Sequence, residues 1–343
     1  MTTMKKLTSI ALTVAMGASL MVPAWGTNEG RDNSEKNIYD LSLGEVQEMI
    51  ENYFLKEDMN LRIGTDAFYD YALEQAIYGT DQKLASEEYY DAITAYFVHY
   101  INEQNDEVYE NAVNANVTIL QSKETDVDEV PFYNEETFRA TTLGDIRATV
   151  EKETEPTAAT LRTASLTGYT PSKAVAYARK WANSYNGDYP NYSSDQADCT
   201  NFVSQCLAAG GIELDGGENK APGTYETTTQ WYCRPVGIWD HTAIRDFAVS
   251  TTWVRVSDFN TYFSNVAKSK TIKTIHEALI SACAAGDVVQ FAHATTGEVY
   301  HSVIITSKTT SDAKYCGHSN PRYDYSVKNV SATNNKFVLF DMT

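Results

Sequence analysis

The sequence predicts an α+β fold, and three observations carry that prediction. Apolar residues recur at three- and four-residue spacing from Leu43 to Ile101, which is the rhythm of amphipathic helices. Two runs, Val288 to Phe291 and Val299 to Thr306, are rich in β-branched residues and bounded by turn signals, as strands are. Between Asp198 and Gly210 lies a stretch with a helix start, one apolar face and a helix stop. At 343 residues the chain is long enough for about two domains.

The chain opens with a segment that reads as an export signal. Lys5 and Lys6 precede an apolar stretch from Leu7 to Val22, and Ala24-Trp25-Gly26 offers small residues at a cleavage site. The apolar run falls short of the roughly 20 residues that span a bilayer. Residues 1–26 are therefore expected to be removed, leaving an extracellular chain with no integral membrane segment, secreted and open to cell-wall association. They hold two lysines and no acid, so their removal takes the formal charge from −19 to −21. A chain this acidic is repelled by nucleic acid and anionic lipid, which argues against a nucleic-acid partner.

Residues 27–150 read as a small α+β module. Its helices are marked by Val46, Met49, Ile50, Tyr53 and Phe54, then by Phe68, Tyr71 and Ala72, then by Ile93, Tyr96, Phe97 and Tyr100. Ala115 to Ile119 and Ile146 to Val150 carry β-branched residues and read as short strands. Residues 151–168, rich in Thr, Ala and Glu without periodicity, read as a linker. The second domain, 169–343, opens with Pro171 at a helix start, followed by Ala174, Val175, Tyr177, Ala178 and Trp181 on one face.

The chemistry concentrates in this second part. Five cysteines (199, 206, 233, 283 and 316) are an odd number for an exported chain, so at least one thiol stays unpaired within the monomer. None forms a C-x-x-C pair, so no metal site and no cofactor is expected. Cys199 follows Asp198, a residue suited to cap a helix, and stands at the helix's first position. Amides and macrodipole there favour a thiolate. A small buried thiol is the ordinary alternative for a lone cysteine. A partner shifts the balance: in the strand from Val299, His301 shares a face with Val303 and Ile305, near the mouth of a sheet. The next short strand, Ala313 to His318, can bring His318 or Asn320 alongside. A nucleophile, a base and an orienting polar group are the three roles that covalent acyl transfer needs. Trp231, Trp239 and Trp253 could line a groove, although such residues more often pack a core. Asn201 and Gln205, one turn apart, could support the site or bind substrate.

Taken together, Tyr177-Ala178 with Trp181, the run Asp198-Cys199-Thr200-Asn201-Phe202-Val203-Ser204-Gln205 with Gly210-Gly211, Trp253 before Asp258-Phe259, Gly286-Asp287, His301-Ser302 and His318 resemble the bacterial putative amidase domain family over about residues 169–330. That family looks like a relative of the papain-like cell-wall cysteine peptidases. The resemblance implies a papain-like hydrolase domain, with a helix bearing the cysteine on an antiparallel sheet bearing the histidine. It implies Cys199 as nucleophile, His301 as base, and His318 as third member with Asn320 as competitor. It also implies a peptide or peptidoglycan substrate, for which the residues themselves offer Asn201, Gln205, Trp231 and Trp253 as candidate contacts. The rival from another class is a catalytically silent envelope-binding module on the same scaffold.

Overall fold

Local sequence starts and stops the N-terminal helices. In the computed structural model, which describes residues 37–121, 135–154, 166–193, 197–236 and 247–343, α1 spans Leu43–Lys56 behind a reciprocal Ser42/Glu45 capping box. Helix α2, Asp66–Tyr78, starts on Thr65 and stops at Gly79, whose φ of 61° is the left-handed conformation that ends helices. Helix α3 runs over Tyr90–Gln121, α4 over Glu135–Ala140 and α5 over Leu143–Thr154. The expected signal peptide, residues 155–165 of the expected linker, and Trp239 lie outside the described residues.

Two strand expectations are corrected here. Residues 115–119 continue α3, and 146–150 lie within α5. The second error has a visible cause. The Thr142 hydroxyl accepts from the Asp145 N–H (3.1 Å) while the Asp145 carboxylate accepts from the Thr142 N–H (3.0 Å), which nucleates a helix at Leu143. Leu143 and Ile146 then bury one face at helical spacing. The β-branched residues were overridden by the cap and by packing, as β-propensity often is. The described residues 37–154 thus form helices, in place of the expected α+β module.

The remaining elements are α6 (Pro171–Trp181), α7 (Cys199–Ala209), β1 (Gly223–Tyr225), β2 (Cys233–Pro235), β3 (Phe247–Ser250), α8 (Thr251–Val254), α9 (Val256–Phe263), β4 (Ser269–Lys273), α10 (His276–Ala282), β5 (Val288–His293), β6 (Val299–Lys308), β7 (Ala313–Gly317), β8 (Arg322–Ser326) and β9 (Asn335–Asp341). Strands β1, β3 and β2 form a small sheet, and the other six form an antiparallel sheet in the order β4-β9-β5-β6-β7-β8. The fold is mixed α and β.

Alternation along the large sheet's strands divides two cores. Val289, Phe291, Val303, Ile305, Tyr315, Phe337 and Leu339 pack with the apolar faces of α1, α2 and α3. Val288, Ala292, Ile304, Cys316, Val338 and Phe340 pack with α6, α7 and α9. Strand β5 is buried at every position, and its polar residues Gln290 and His293 are hydrogen-bonded inside, to Asn260 and Thr94. Residues 37–343 form a single compact unit in which helices cover both faces of one sheet. No helix among the described residues is long and apolar enough to cross a membrane.

Candidate active site

The start of α7 is where the sequence motif becomes geometry. Asp198 does not cap the helix with its side chain, against expectation, because its carboxylate is taken elsewhere. Its Oδ1 accepts from Asn201 Nδ2 (2.8 Å) and the Tyr192 N–H (3.1 Å), and its Oδ2 pairs with His318 Nδ1 at 2.6 Å. Its own N–H donates to Ser319 Oγ at 3.0 Å. Asp198 therefore ties the helix start to the turn after β7.

Cys199, the first residue of α7, is 3% exposed. Its sulfur lies 3.8 Å from the Thr200 hydroxyl, and the polar backbone of Ser302 and Thr200 nearby favours its ionised form. Ser302 is the neighbour of His301 on β6, so the sulfur sits against the strand that carries the predicted base. Thr200 Oγ1 and Ser302 Oγ are 3.0 Å apart, and Gln290 Nε2 donates to Ser302 Oγ at 3.1 Å. These links fix the helix start on β6 and β5.

His301 is 2% exposed and stacks on Phe291, centroids 5.5 Å apart. Its Nε2 lies over Gly317, 3.7 Å from where a Cβ would stand, so the absent side chain leaves room for the ring. A bulge positions it: Phe291 pairs with His301 while Ala292 pairs with Val299, leaving Tyr300 as the extra residue. Bulges of this kind re-aim side chains beside functional sites. The structure brings the sulfur and the His301 strand together. Among the described residues, the sulfur and the imidazole are not hydrogen-bonded to each other.

The two candidates for an orienting group are held away from His301. His318 Nδ1 pairs with Asp198 and its Nε2 lies 2.9 Å from the Trp181 carbonyl, with the ring stacked on Phe202 at 4.0 Å. Both partners are acceptors, so both ring nitrogens are used in holding the start of α7. Asn320 donates to Glu74 of α2 at 3.0 Å. Neither places a hydrogen bond behind His301.

The candidate substrate contacts are also internal. Trp253 is fully buried and donates from Nε1 to Asn201 Oδ1 at 2.9 Å, while Asn201 grips Asp198. Trp231 is fully buried, 4.7 Å from Trp253, and donates to Ser204 at 3.1 Å. Gln205 accepts from the Tyr177 hydroxyl at 2.7 Å. These residues brace α7 from behind and present no groove, which corrects the binding expectation. Such indole and amide partners are what buried polar groups require. All five cysteines are unpaired and buried.

Burial sets the site's electrostatics. It pushes the Cys199 thiol up, partly offset by the hydrogen bonds from Ser302 and Thr200, with the Asp198 charge adding to the rise. His301 is pushed down to about 3, first by burial and then by the Arg322 guanidinium. At neutral pH the pair is thiol and neutral imidazole. His293, also buried, is pushed down to about 4 by the same desolvation.

A stability prediction follows from these two histidines. In the unfolded chain an imidazole takes a proton below about 6.5, whereas the native rings stay neutral until about 4 and about 3. The unfolded state binds more protons in that window, so stability falls as pH falls through it. Each ring contributes about 1.4 kcal/mol per pH unit. Urea midpoints measured from pH 7.5 to 4.5 should fall more steeply for the wild type than for His301→Gln. Equal slopes would show that His301 titrates normally in the native state.

Sequence reasoning missed the pairing of Tyr69 with Asn105, at 3.0 Å, and the action of Arg322 on the His301 imidazole. The phenol of Tyr69 is pushed up by burial and then by the negative charge that Cys199 would carry. Nothing local marks the pairing, because only the packing of α2 and α3 brings the two residues together.

Residues 168–340 match the family described as "Putative amidase domain". The chain is also similar to an uncharacterized protein, YhbB, of Bacillus subtilis (strain 168), at 28% identity over 138 residues. That match covers 39% of this chain and 36% of the relative, so the chain spans well under two thirds of the relative's length. No solved structure matches it. The matched segment takes in α6, the Cys199 helix, His301 and the His318 turn, and on half of its length this chain belongs to the putative amidase domain family.

Proposed function

We propose that this chain is an exported cysteine hydrolase that cleaves amide bonds in cell-wall peptides, with Cys199 as nucleophile and His301 as general base. The observation that carries the reading is the setting of the sulfur. It stands at a helix start, beside the Thr200 hydroxyl, which meets Ser302, the residue next to a neutral imidazole. That setting favours a thiolate once burial is relieved. A neutral imidazole is the form that can take the thiol proton.

The reaction is acyl transfer. The proton passes from Sγ to His301 as sulfur attacks the carbonyl carbon, and the imidazolium returns it to the departing amine nitrogen. Water, deprotonated by His301, then attacks the thioester, releasing the acid and restoring the thiol. Substrate binding brings ring and sulfur into hydrogen-bond contact, since apo sites often hold such contacts long. The cysteine-bearing helix packed on an antiparallel sheet supports the papain-like reading. His318 acts as a positioning residue, through Asp198.

Export and the cell-wall substrate rest on the signal at residues 1–26 and on the likeness to cell-wall peptidases. The test is direct. The mature protein is incubated with purified peptidoglycan and a peptide panel, and new amines are sought by mass spectrometry. Amines released by the wild type, with or without a strong chelator, are expected. A binding module would release none, and loss of activity with the chelator would point to a metal hydrolase.

A further inference from the structure

A cleft of about 760 Å³ opens at the end of the large sheet where β5 turns into β6, walled by α3, α5, α9 and the sheet itself. Its volume lies within the range of small-ligand pockets, about 300 to 1,000 Å³. Among the described residues, neither Cys199 nor His301 lines it, so it is separate from the candidate active site.

Most charged groups on its walls are already engaged. Arg255 meets Asp106 at 2.9 Å, Arg147 meets Glu151 at 2.8 Å, and Lys270 donates to Asn260 at 2.7 Å. Two groups stand out. Glu298 Oε1 accepts from Asn102 Nδ2 (3.0 Å) and lies 2.9 Å from His99 Nδ1. Its other oxygen, Oε2, is buried and has no hydrogen-bond partner among the described residues. Burial works to raise this carboxyl, but the charge and hydrogen bonds of His99 and Asn102 outweigh it, so it sits below its usual value and is ionised at neutral pH. A buried carboxylate oxygen without a donor is costly, and in a cleft wall it is a place for a ligand's N–H. Lys336 of β9 also lines the cleft, and among the described residues its ammonium forms no ion pair or hydrogen bond.

Strand register sets the distance between these two. Val299, Ala292 and Lys336 stand abreast on β6, β5 and β9, and Glu298 precedes Val299. Neighbouring strands are about 4.8 Å apart, so the two groups are rooted roughly 10 Å from each other. An extended peptide covers at most about 3.6 Å per residue, so termini that far apart belong to a chain of about three residues. We propose that this cleft binds a short peptide by its two free termini, the ammonium donating to Glu298 Oε2 and the carboxylate accepting from Lys336 Nζ. A polyamine or a dicarboxylate satisfies only one of the two ends. The assignment does not depend on the role of Cys199.

Calorimetric titration of the mature protein tests the site without reading activity. Parallel titrations of the wild type and Cys199→Ala keep any cleavage of the peptide out of the binding signal. Trialanine should bind saturably, at one site per chain. Acetylating its amino end or amidating its carboxyl end should each weaken binding at least about tenfold, as loss of a charge-assisted hydrogen bond does. Glu298→Gln should erase the penalty for acetylation and keep that for amidation, and Lys336→Met should do the reverse. A cooperative melt shows that each variant is folded. If Glu298→Gln is not, Lys336→Met, at a half-buried position, decides by the same criterion. No saturable binding at millimolar trialanine, or capping penalties that neither folded variant changes, overturns the proposal. Binding that needs only one free terminus overturns it in favour of a simple cation or anion site.

Discussion

Replacement of Cys199 by alanine is expected to lower amine release by at least roughly 10³-fold, in line with loss of a nucleophile from a covalent mechanism. The fold should survive. The side chain is small, and its removal leaves the Thr200–Ser302–Gln290 hydrogen bonds in place. A loss of rate through unfolding would lower the urea midpoint as well, so both are measured on the same preparation. His301→Gln should cost a comparable factor, and the double variant should lose little more than either single one, because the two groups act as a unit. Equal amine release by wild type and Cys199→Ala would assign hydrolysis to another group. His318→Asn should behave differently from both. Because its ring holds Asp198 at the start of α7, its replacement is expected to lower stability along with rate.

The second large effect concerns the N-terminal helices. A chain beginning at residue 166 keeps essentially the whole family match yet should fail to fold as a soluble protein. Its sheet would expose Val289, Phe291, Val303, Ile305, Tyr315, Phe337 and Leu339, each nearly or wholly buried when α1 to α3 are present. At roughly 1.5–3 kcal/mol for each large side chain, the lost burial is on the order of 10 kcal/mol or more. Whole domains are stable by only about 5–15 kcal/mol. The truncated chain should be found in the insoluble fraction, or should bind a hydrophobic dye without a cooperative melting transition. A soluble fragment that melts cooperatively would show that the C-terminal half carries a complete core of its own.

The sequence made parts of this architecture legible because they are local. Pro171, Gly210, and the apolar spacing between them and around Val46 and Tyr96 mark helices by the chemistry of caps and faces. The strands β5 to β7 declare themselves through alternation and flanking turns. Gly286-Asp287, a weak motif alone, proves to be a structural corner: Asp287 accepts from the Ala284 and Met342 amides, and Tyr169 donates to the Gly286 carbonyl. The errors came where packing over long sequence distances decides. Ile146 to Val150 looked like a strand because a Thr142/Asp145 cap was overlooked. The tryptophans looked like a groove because their partners, Asn201 and Ser204, lie on a helix dozens of residues away.

The candidate site was legible only in the residues that local sequence marks. Cys199 and His301 stood out because one opens a helix and the other sits near the start of a strand. The orienting partner did not. His318 was a reasonable candidate by strand order, yet its ring is held by Asp198 and the Trp181 carbonyl, a pairing that no spacing rule reveals. Nor could periodicity foresee the bulge at Tyr300 beside His301.

The most direct test of the account is to look for the covalent intermediate. The protein is mixed with an amide substrate that releases amine, quenched in acid within the first turnover, and weighed intact before peptide mapping. The account predicts a mass increase equal to the acyl group, mapped to the peptide carrying Cys199, removed by hydroxylamine and absent from Cys199→Ala. Turnover with no adduct on Cys199, under conditions that trap the thioester of a known cysteine hydrolase, would contradict it.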